Sequence, residues 1–354
     1  MLAGKVSPRS AALISCDPES RAFAAEEIAP LFTRSQPLQW LDDGLALAET
    51  ETGFDGFAAA VKKAAPVFVR HIAPVEREIG LTATEADIEM LVGVMAGLAG
   101  KLDPALTFSV QSRILGEGKL PYRKVALNEA LSRYLEGKTG AKMDARVPGQ
   151  VVSVLCTPER GFLGVSRTEQ NLSDWPGGMH RFRHEEGRIS RSENKLLEAL
   201  SVFHLDLPAR GTALDMGASP GGWTHVLRER GLQVVAVDPA GLDARLAGDS
   251  GIVHVRAQVQ AYLAPGRKFA VMVNDMRMGA LESVEIMLQA RSCLEPGGLA
   301  IMTLKLAREE PSRTLETVRK SLARLAEGYT VLGARQLYHN RSEVTVALLG
   351  PGSG

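Results

Sequence analysis

Cysteine is almost missing from this chain: its 354 residues hold three, Cys16, Cys156 and Cys293, spread far apart. Their spacing matches no zinc site, redox pair or disulfide framework, so they fit a reducing compartment and carry little chemistry. No metal site is expected. Long apolar runs are missing too. No stretch reaches the roughly 18 residues that suggest a membrane span. The opening segment MLAGKVSPRSAALISC lacks the continuous apolar core and small-residue cleavage site of a secretory signal. A cytoplasmic chain with no membrane attachment is the expectation. Internal repeats and low-complexity tracts are absent. Net charge is absent as well, with Lys plus Arg and Asp plus Glu both totalling 41, so composition carries no global signature of a nucleic-acid binder.

What remains is ordinary globular material, 45% hydrophobic and 23% charged, long enough for two or three domains with their own cores. Charge is unevenly distributed. Residues 1–100 are acidic on balance, whereas 101–150 are basic, with Arg113, Lys119, Arg123, Lys124, Arg133, Lys138, Lys142 and Arg146. In the first part, strand-like runs at 11–17 and 67–73 mix with helical patterns at 20–32 and 84–99, the latter with Thr84 at its N-cap. An alternating strand (107–114), a basic helix (122–140) closed by Gly137 or Gly140, and strands at 150–157 and 159–167 form a small α+β unit. Residues 168–189 are polar, contain the turn signal WPGG, and read as a linker.

From residue 190 onward strands and helices alternate in the α/β manner. The strands fall at 212–218, 233–239, 251–257, 269–276, 299–306, 330–339 and 343–350. The last two have no helix between them, so they form an antiparallel hairpin at the end of an otherwise parallel sheet. The segment LDMGASPGGW (214–223) leaves the first strand and opens a helix. Glycines at such a turn let the backbone approach a ligand, and the helix N-terminus offers free N–H groups. The second strand ends at Asp238, placed to hold a ribose diol. The loop is not G-x-G-x-x-G, which disfavours a dinucleotide. D-x-G-x-x-P-G-G-W is the loop pattern of S-adenosylmethionine (SAM) enzymes, and it brings Asp215, Gly217, Ser219, Pro220, Gly221, Gly222 and Trp223 to a cofactor site.

One residue is a misfit. LAIMTLKLA (299–307) reads as a buried strand, yet it contains Lys305, and an unpaired buried ammonium is costly. Asp275 ends the neighbouring strand, and ligands in parallel sheets sit beyond the carboxyl ends of strands. Lys195, on the helix before the first strand, and Glu343, opening the last strand, converge on the same rim. Transfer of a methyl group to a ribose hydroxyl needs that poor nucleophile aligned and relieved of its proton. In such a cluster Lys305 would accept the proton or stabilise the developing alkoxide, Asp275 would orient it, and Lys195 and Glu343 would complete the set.

Lys195, Asp275, Lys305 and Glu343 resemble the K-D-K-E tetrad of the FtsJ-type RNA ribose 2′-O-methyltransferase family. SRSENKLLEALSVF (190–203), LDMGASPGGWT (214–224), NDM (274–276) and ARQLYHNRSEVTVALL (334–349) are similar to its RlmM-like members. The resemblance implies a Rossmann-like SAM methyltransferase domain at 190–354. Before it would come an N-terminal ferredoxin-like region at 1–98 and a THUMP-type RNA-binding domain at 99–167. It also implies SAM as cofactor and 2′-O-methylation of a cytidine in large-subunit (23S) ribosomal RNA; a monomer is the expectation, although the sequence itself does not reveal the oligomeric state. The SAM site it carries over comprises Ser192, Ser219, Pro220, Gly221, Gly222, Asp238 and Asp275. Where the family has an acid near the adenine, this chain has Gln258, whose amide oxygen can still accept a hydrogen bond.

Three rival readings follow from the same residues. A base methyltransferase would carry a Pro-Pro-aromatic loop after the fourth strand, but NDMRMG (274–279) has neither feature. Transfer RNA is an alternative ribose substrate. A catalytically inactive RNA-binding or ribosome-assembly factor would not need the intact loop and four charges. RNA contact is expected to be electrostatic, through residues 119–146 and the linker arginines Arg181, Arg183, Arg188 and Arg191.

Overall fold

The computed structural model describes residues 6–32, 38–116, 118–182, 187–263, 266–307 and 310–352. Arg183 lies outside the described residues. The chain divides into two compact units, residues 1–179 and 180–354. No helix among the described residues is long and apolar enough to cross a membrane.

The first unit runs β1 (Val6–Cys16), α1 (Arg21–Ile28), β2 (Gln39–Asp42), β3 (Leu45–Glu49), α2 (Gly53–Ala64), β4 (Val69–Gly80), α3 (Ala86–Ala96), β5 (Phe108–Ile114), α4 (Lys124–Thr139), β6 (Gln150–Cys156) and β7 (Arg160–Arg167). Its strands form one sheet in the order β2-β3-β1-β4-β7-β6-β5. Only β5 and β6 pair in parallel. The pairing of β4 with β7, from Arg77↔Leu163 to Gly80↔Arg160, makes the sheet continuous. The expected division between residues 98 and 99 therefore runs inside one compact unit. Leu127, Leu131 and Leu135 recur every fourth residue on α4 and pack, with Leu91, Met95 and Leu98, against Val152, Val154 and Leu163.

Two local expectations are corrected. Thr84 is not the cap of α3. Asp87 instead binds back across the turn, accepting from the Thr82 backbone N–H and hydroxyl, both at 2.8 Å. The expected linker also begins as part of the first unit. The Asn171 carbonyl accepts from the Ile72 N–H at 3.1 Å, and the Gln170 amide donates to Asp55 at 2.8 Å.

The second unit runs α5 (Glu193–Val202), β8 (Thr212–Met216), α6 (Gly222–Glu229), β9 (Gln233–Val237), β10 (Ile252–Val255), α7 (Val259–Tyr262), β11 (Phe269–Asn274), α8 (Ala280–Ala290), β12 (Leu294–Lys305), α9 (Pro311–Leu325), β13 (Thr330–Arg335) and β14 (Glu343–Leu349). The sheet order is β10-β9-β8-β11-β12-β14-β13. The first five strands are parallel, and β14 pairs antiparallel with both β12 and β13. This is the expected seven-stranded, mostly parallel Rossmann-like sheet with a terminal hairpin. Val271, Val273, Ile301, Met302 and Leu304 are fully buried, which explains why the central strands read as unbroken apolar runs.

The strand expected at 330–339 stops at Arg335. Glu198, almost fully buried on α5, takes the Tyr338 and His339 N–H groups at 2.7 and 2.9 Å. Those donors are lost to a ladder, so residues 336–342 form a turn rather than strand.

Candidate active site

The carboxyl ends of β8, β9, β11 and β12 share one edge of the second sheet, and the predicted residues gather there. Gly217, at φ +78°, follows β8 and passes so close to Met276 that a side-chain carbon would lie 2.5 Å from it. Gly221 caps α6 at φ +111°. Both positions are left-handed backbone that favours glycine. The loop is tied to β9: Gly217 N–H donates to the Val237 carbonyl at 3.0 Å. Asp238 accepts from the Ser219 N–H at 3.1 Å and the Ala240 N–H at 2.8 Å. Trp223 is buried, and its indole N–H donates to the Ser192 carbonyl at 2.8 Å, joining α6 to the start of α5.

Asp215 sits 1% exposed under the loop, accepting from the Thr224 hydroxyl at 2.6 Å. Burial pushes its carboxyl up to about 7, and the Thr224 hydrogen bond only partly offsets that.

The four charges form a closed ring. In the β12–β14 ladder Lys305 is directly opposite Glu343. Lys305 contacts Glu343 and lies 2.5 Å from Asp275. Lys195 lies 2.5 Å from Glu343 and 3.2 Å from Asp275. Each lysine thus meets both acids and each acid both lysines. Asp275 also accepts from the Thr303 hydroxyl at 2.7 Å. It is aimed by Asn274, fully buried, whose side-chain oxygen accepts from the Met276 N–H at 3.0 Å and bends the chain at the strand end. Burial alone would drive the Lys305 ammonium toward neutrality, but the Asp275 and Glu343 carboxylates outweigh it and hold its pKa above the usual lysine value. Burial likewise opposes the Asp275 carboxylate, and Lys305 and Lys195 override it, lowering its pKa.

A cavity of about 580 Å³ connects the loop to the ring. Ser192, Lys195, Asp215, Gly217, Ser219, Pro220, Trp223, Asp275, Lys305 and Glu343 line it, so most of the predicted site is brought to one space. Gly221, Gly222 and Asp238 stand behind the loop rather than in the lining. Gln258 is exposed at the N-cap of α7 and does not line the cavity. Arg277, Arg341 and Ser342 also line it and were not singled out from sequence. Their one signal is position, since Arg277 lies two residues after Asp275 and Arg341 two before Glu343. Glu198 escaped notice too, because a buried acid on an amphipathic helix has no sequence mark of its own.

An FtsJ-like methyltransferase family model matches residues 188–325. A ribosomal RNA large subunit methyltransferase M from Marinobacter nauticus is 33% identical over 273 residues, covering 73% of this chain and 74% of the relative. The protein of that name from Halorhodospira halophila is 38% identical over 188 residues, covering 52% of this chain and 53% of its own length. The solved structure of TrmN from Thermus thermophilus aligns with 96% of this chain and 99% of its own, at 17% identity and a TM-score of 0.39. The chain spans between half and two thirds of the length of several curated relatives, 53% of the Halorhodospira protein and 64% of one from Azotobacter vinelandii. With the Marinobacter match spanning about three quarters of both proteins and the family model covering the cavity lining from Ser190 to Lys305, the chain belongs to the family of ribosomal RNA large subunit methyltransferase M.

Proposed function

We propose that this protein transfers a methyl group from SAM to the 2′-hydroxyl of an RNA ribose, with a cytidine of 23S ribosomal RNA as substrate. The observation that carries the reading is the closed Lys195–Asp275–Lys305–Glu343 ring at one end of a cavity whose other end is the glycine loop. The residues fit the cofactor. The loop backbone and the α6 N-terminus suit its carboxylate, the proposed diol contact falls to Asp238 at the end of β9, and Asp275 and Asp215 suit a cation. SAM supplies an electrophilic methyl on a sulfonium.

The protein's part is positioning and charge. The ring of two cations and two anions is neutral as a whole, and its carboxylates hold Lys305 as an ammonium, while Thr303 donates to Asp275 and Asn274 turns the chain at Met276. As an ammonium, Lys305 donates a hydrogen bond to the attacking oxygen and stabilises the negative charge that develops there as the hydroxyl proton passes to solvent water. The proton acceptor role is open to it only after it has lost its own proton. Extra positive charge entering beside Asp275 favours that loss, because it competes for the same carboxylate. In the first unit, Lys119, Arg123, Lys124, Arg133, Lys138, Lys142 and Arg146 are exposed, as contact with RNA phosphates requires. Arg113 does not join them, being half-buried 3.8 Å from Asp42. This unit supplies the THUMP-type RNA-binding role.

The test is transfer from tritiated SAM to protein-free large-subunit ribosomal RNA by the full chain, followed by digestion to nucleosides. The label is expected in 2′-O-methylcytidine. Label in a base, or SAM binding without transfer to any RNA, would overturn the reading.

A further inference from the structure

Three arginines line the active-site cavity, Arg191, Arg277 and Arg341. All three are exposed. None makes a side-chain hydrogen bond or ion pair with another described residue, whereas every charge of the adjoining ring is paired twice. A guanidinium keeps its charge at any physiological pH, and its planar fork matches the oxygens of a phosphate. Arg277 and Arg341 flank the ring from two sides, following β11 and preceding β14 respectively. Among the described residues the cavity has one aromatic lining residue, Trp223. Its edge is committed to Ser192 and it is 3% exposed, so it gives no platform on which a base could stack.

We infer that Arg277 and Arg341 clamp the phosphodiesters on either side of the acceptor nucleotide and so set the ribose hydroxyl against Lys305. The inference rests on the proposed function and deepens it. RNA is held at this site by its backbone and not by its bases, and choice of sequence is made elsewhere on the protein. The clamp acts on the substrate alone, so it leaves the cofactor's affinity untouched.

The experiment compares the full-length wild type with Arg277→Gln, Arg341→Gln and the two Arg→Lys variants. Binding of fluorescent, unstructured 20-nucleotide RNAs of different sequence is followed against salt, SAM binding by calorimetry, and methyl transfer by KM and kcat. Each Gln variant is expected to lower the salt slope by about 0.7, the value for one lost contact on a single strand, and the Lys variants to restore it. KM for RNA is expected to rise about tenfold, equally for all sequences, with SAM affinity unchanged. An unchanged slope and KM would overturn the clamp. So would a fall in SAM affinity, which would assign the arginines to the cofactor, or a change in base preference, which would assign them to base reading. If the Gln variants lower the salt slope but wild type transfers no methyl, the functional reading fails and only the phosphate contacts of the two arginines stand.

Discussion

The two units are each built on seven strands, yet only one concentrates its charges. In the first, strands run mostly antiparallel, and its ion pairs are scattered small contacts: Arg9 with Glu49 and Glu78, Arg70 with Asp17, Arg167 with Asp103. In the second, five parallel strands end at one edge, and four charges from α5, β12, β14 and the end of β11 close into one ring. The difference is one of strand direction. A parallel sheet brings every carboxyl end, and every loop that follows, to one side, whereas an antiparallel sheet deals them alternately to both. The largest linked set in the first unit among the described residues is the open chain Glu49–Arg9–Glu78–Arg160, whereas the four charges of the second close on themselves.

That contrast can be broken most forcefully at Asp275. Asp275→Ala leaves two half-buried ammoniums sharing one carboxylate, so unfolding free energy should fall by about 3 kcal/mol and methyl transfer by more than about 100-fold. Denaturant titration and initial rates read the two effects. Removing Asp103 from its exposed pair with Arg167 should cost less stability and no transfer activity. Equal losses at the two sites would erase the distinction between coupled and isolated charges.

Glu198→Gln should come next. It removes the charge that holds the Tyr338 and His339 N–H groups and the His339 ring at 2.7 Å. The loss expected is about 2 kcal/mol, with a drop in kcat because Glu343 follows on the loosened turn. SAM affinity should not move. A kcat unchanged despite the lost stability would show that the turn does not position the ring.

A smaller effect is expected from Asp215. Its folded carboxyl titrates at about 7, against an ordinary value of 3.8. Between those values the unfolded chain has lost the proton and the folded one retains it, so stability falls as pH rises through this window. Below it both states are protonated and the penalty vanishes. Thermal unfolding from pH 4 to 8 should show the decline, and Asp215→Asn should flatten it. A variant with the same decline would place the titration elsewhere.

The smallest effect on stability belongs to the first unit's exposed cations. Neutralising Lys138, Lys142 and Arg146 together should change unfolding free energy by less than about 0.5 kcal/mol while weakening RNA binding most at low salt. Salt-independent binding in the triple variant and in wild type would remove that face from the interface.

How far this was legible in sequence follows from the same contrast. The second unit's strands announced themselves as apolar runs, because parallel strands are buried on both faces, and Lys305 stood out against that background. Its partners were placed by reasoning from strand ends, and in the ladder Lys305 stands opposite Glu343. The hairpin of β2 and β3 left no clear period, since Leu45, Ala46, Leu47 and Ala48 are all buried in a row, whereas helix α2 buries Phe57, Ala58 and Val61 at helical spacing and was passed over. Glu198, Arg277 and Arg341 act through where the chain brings them. Nothing in their local sequence separates a clamp from a solvated charge. The strand end at Arg335 was misplaced because a side chain from α5 takes the N–H groups that local pattern would assign to a ladder.

The central claim is that Lys305 acts on the attacking oxygen as a charge held by the ring. The direct test is the single-turnover rate of methyl transfer at saturating SAM and RNA for Lys305→Ala and Lys305→Arg beside wild type. Lys305→Ala should be slower by about 100- to 1,000-fold with SAM still bound, and Lys305→Arg should recover part of the rate, because a guanidinium can stabilise an alkoxide but cannot take its proton. A Lys305→Ala enzyme that transfers methyl at the wild-type rate would contradict the account.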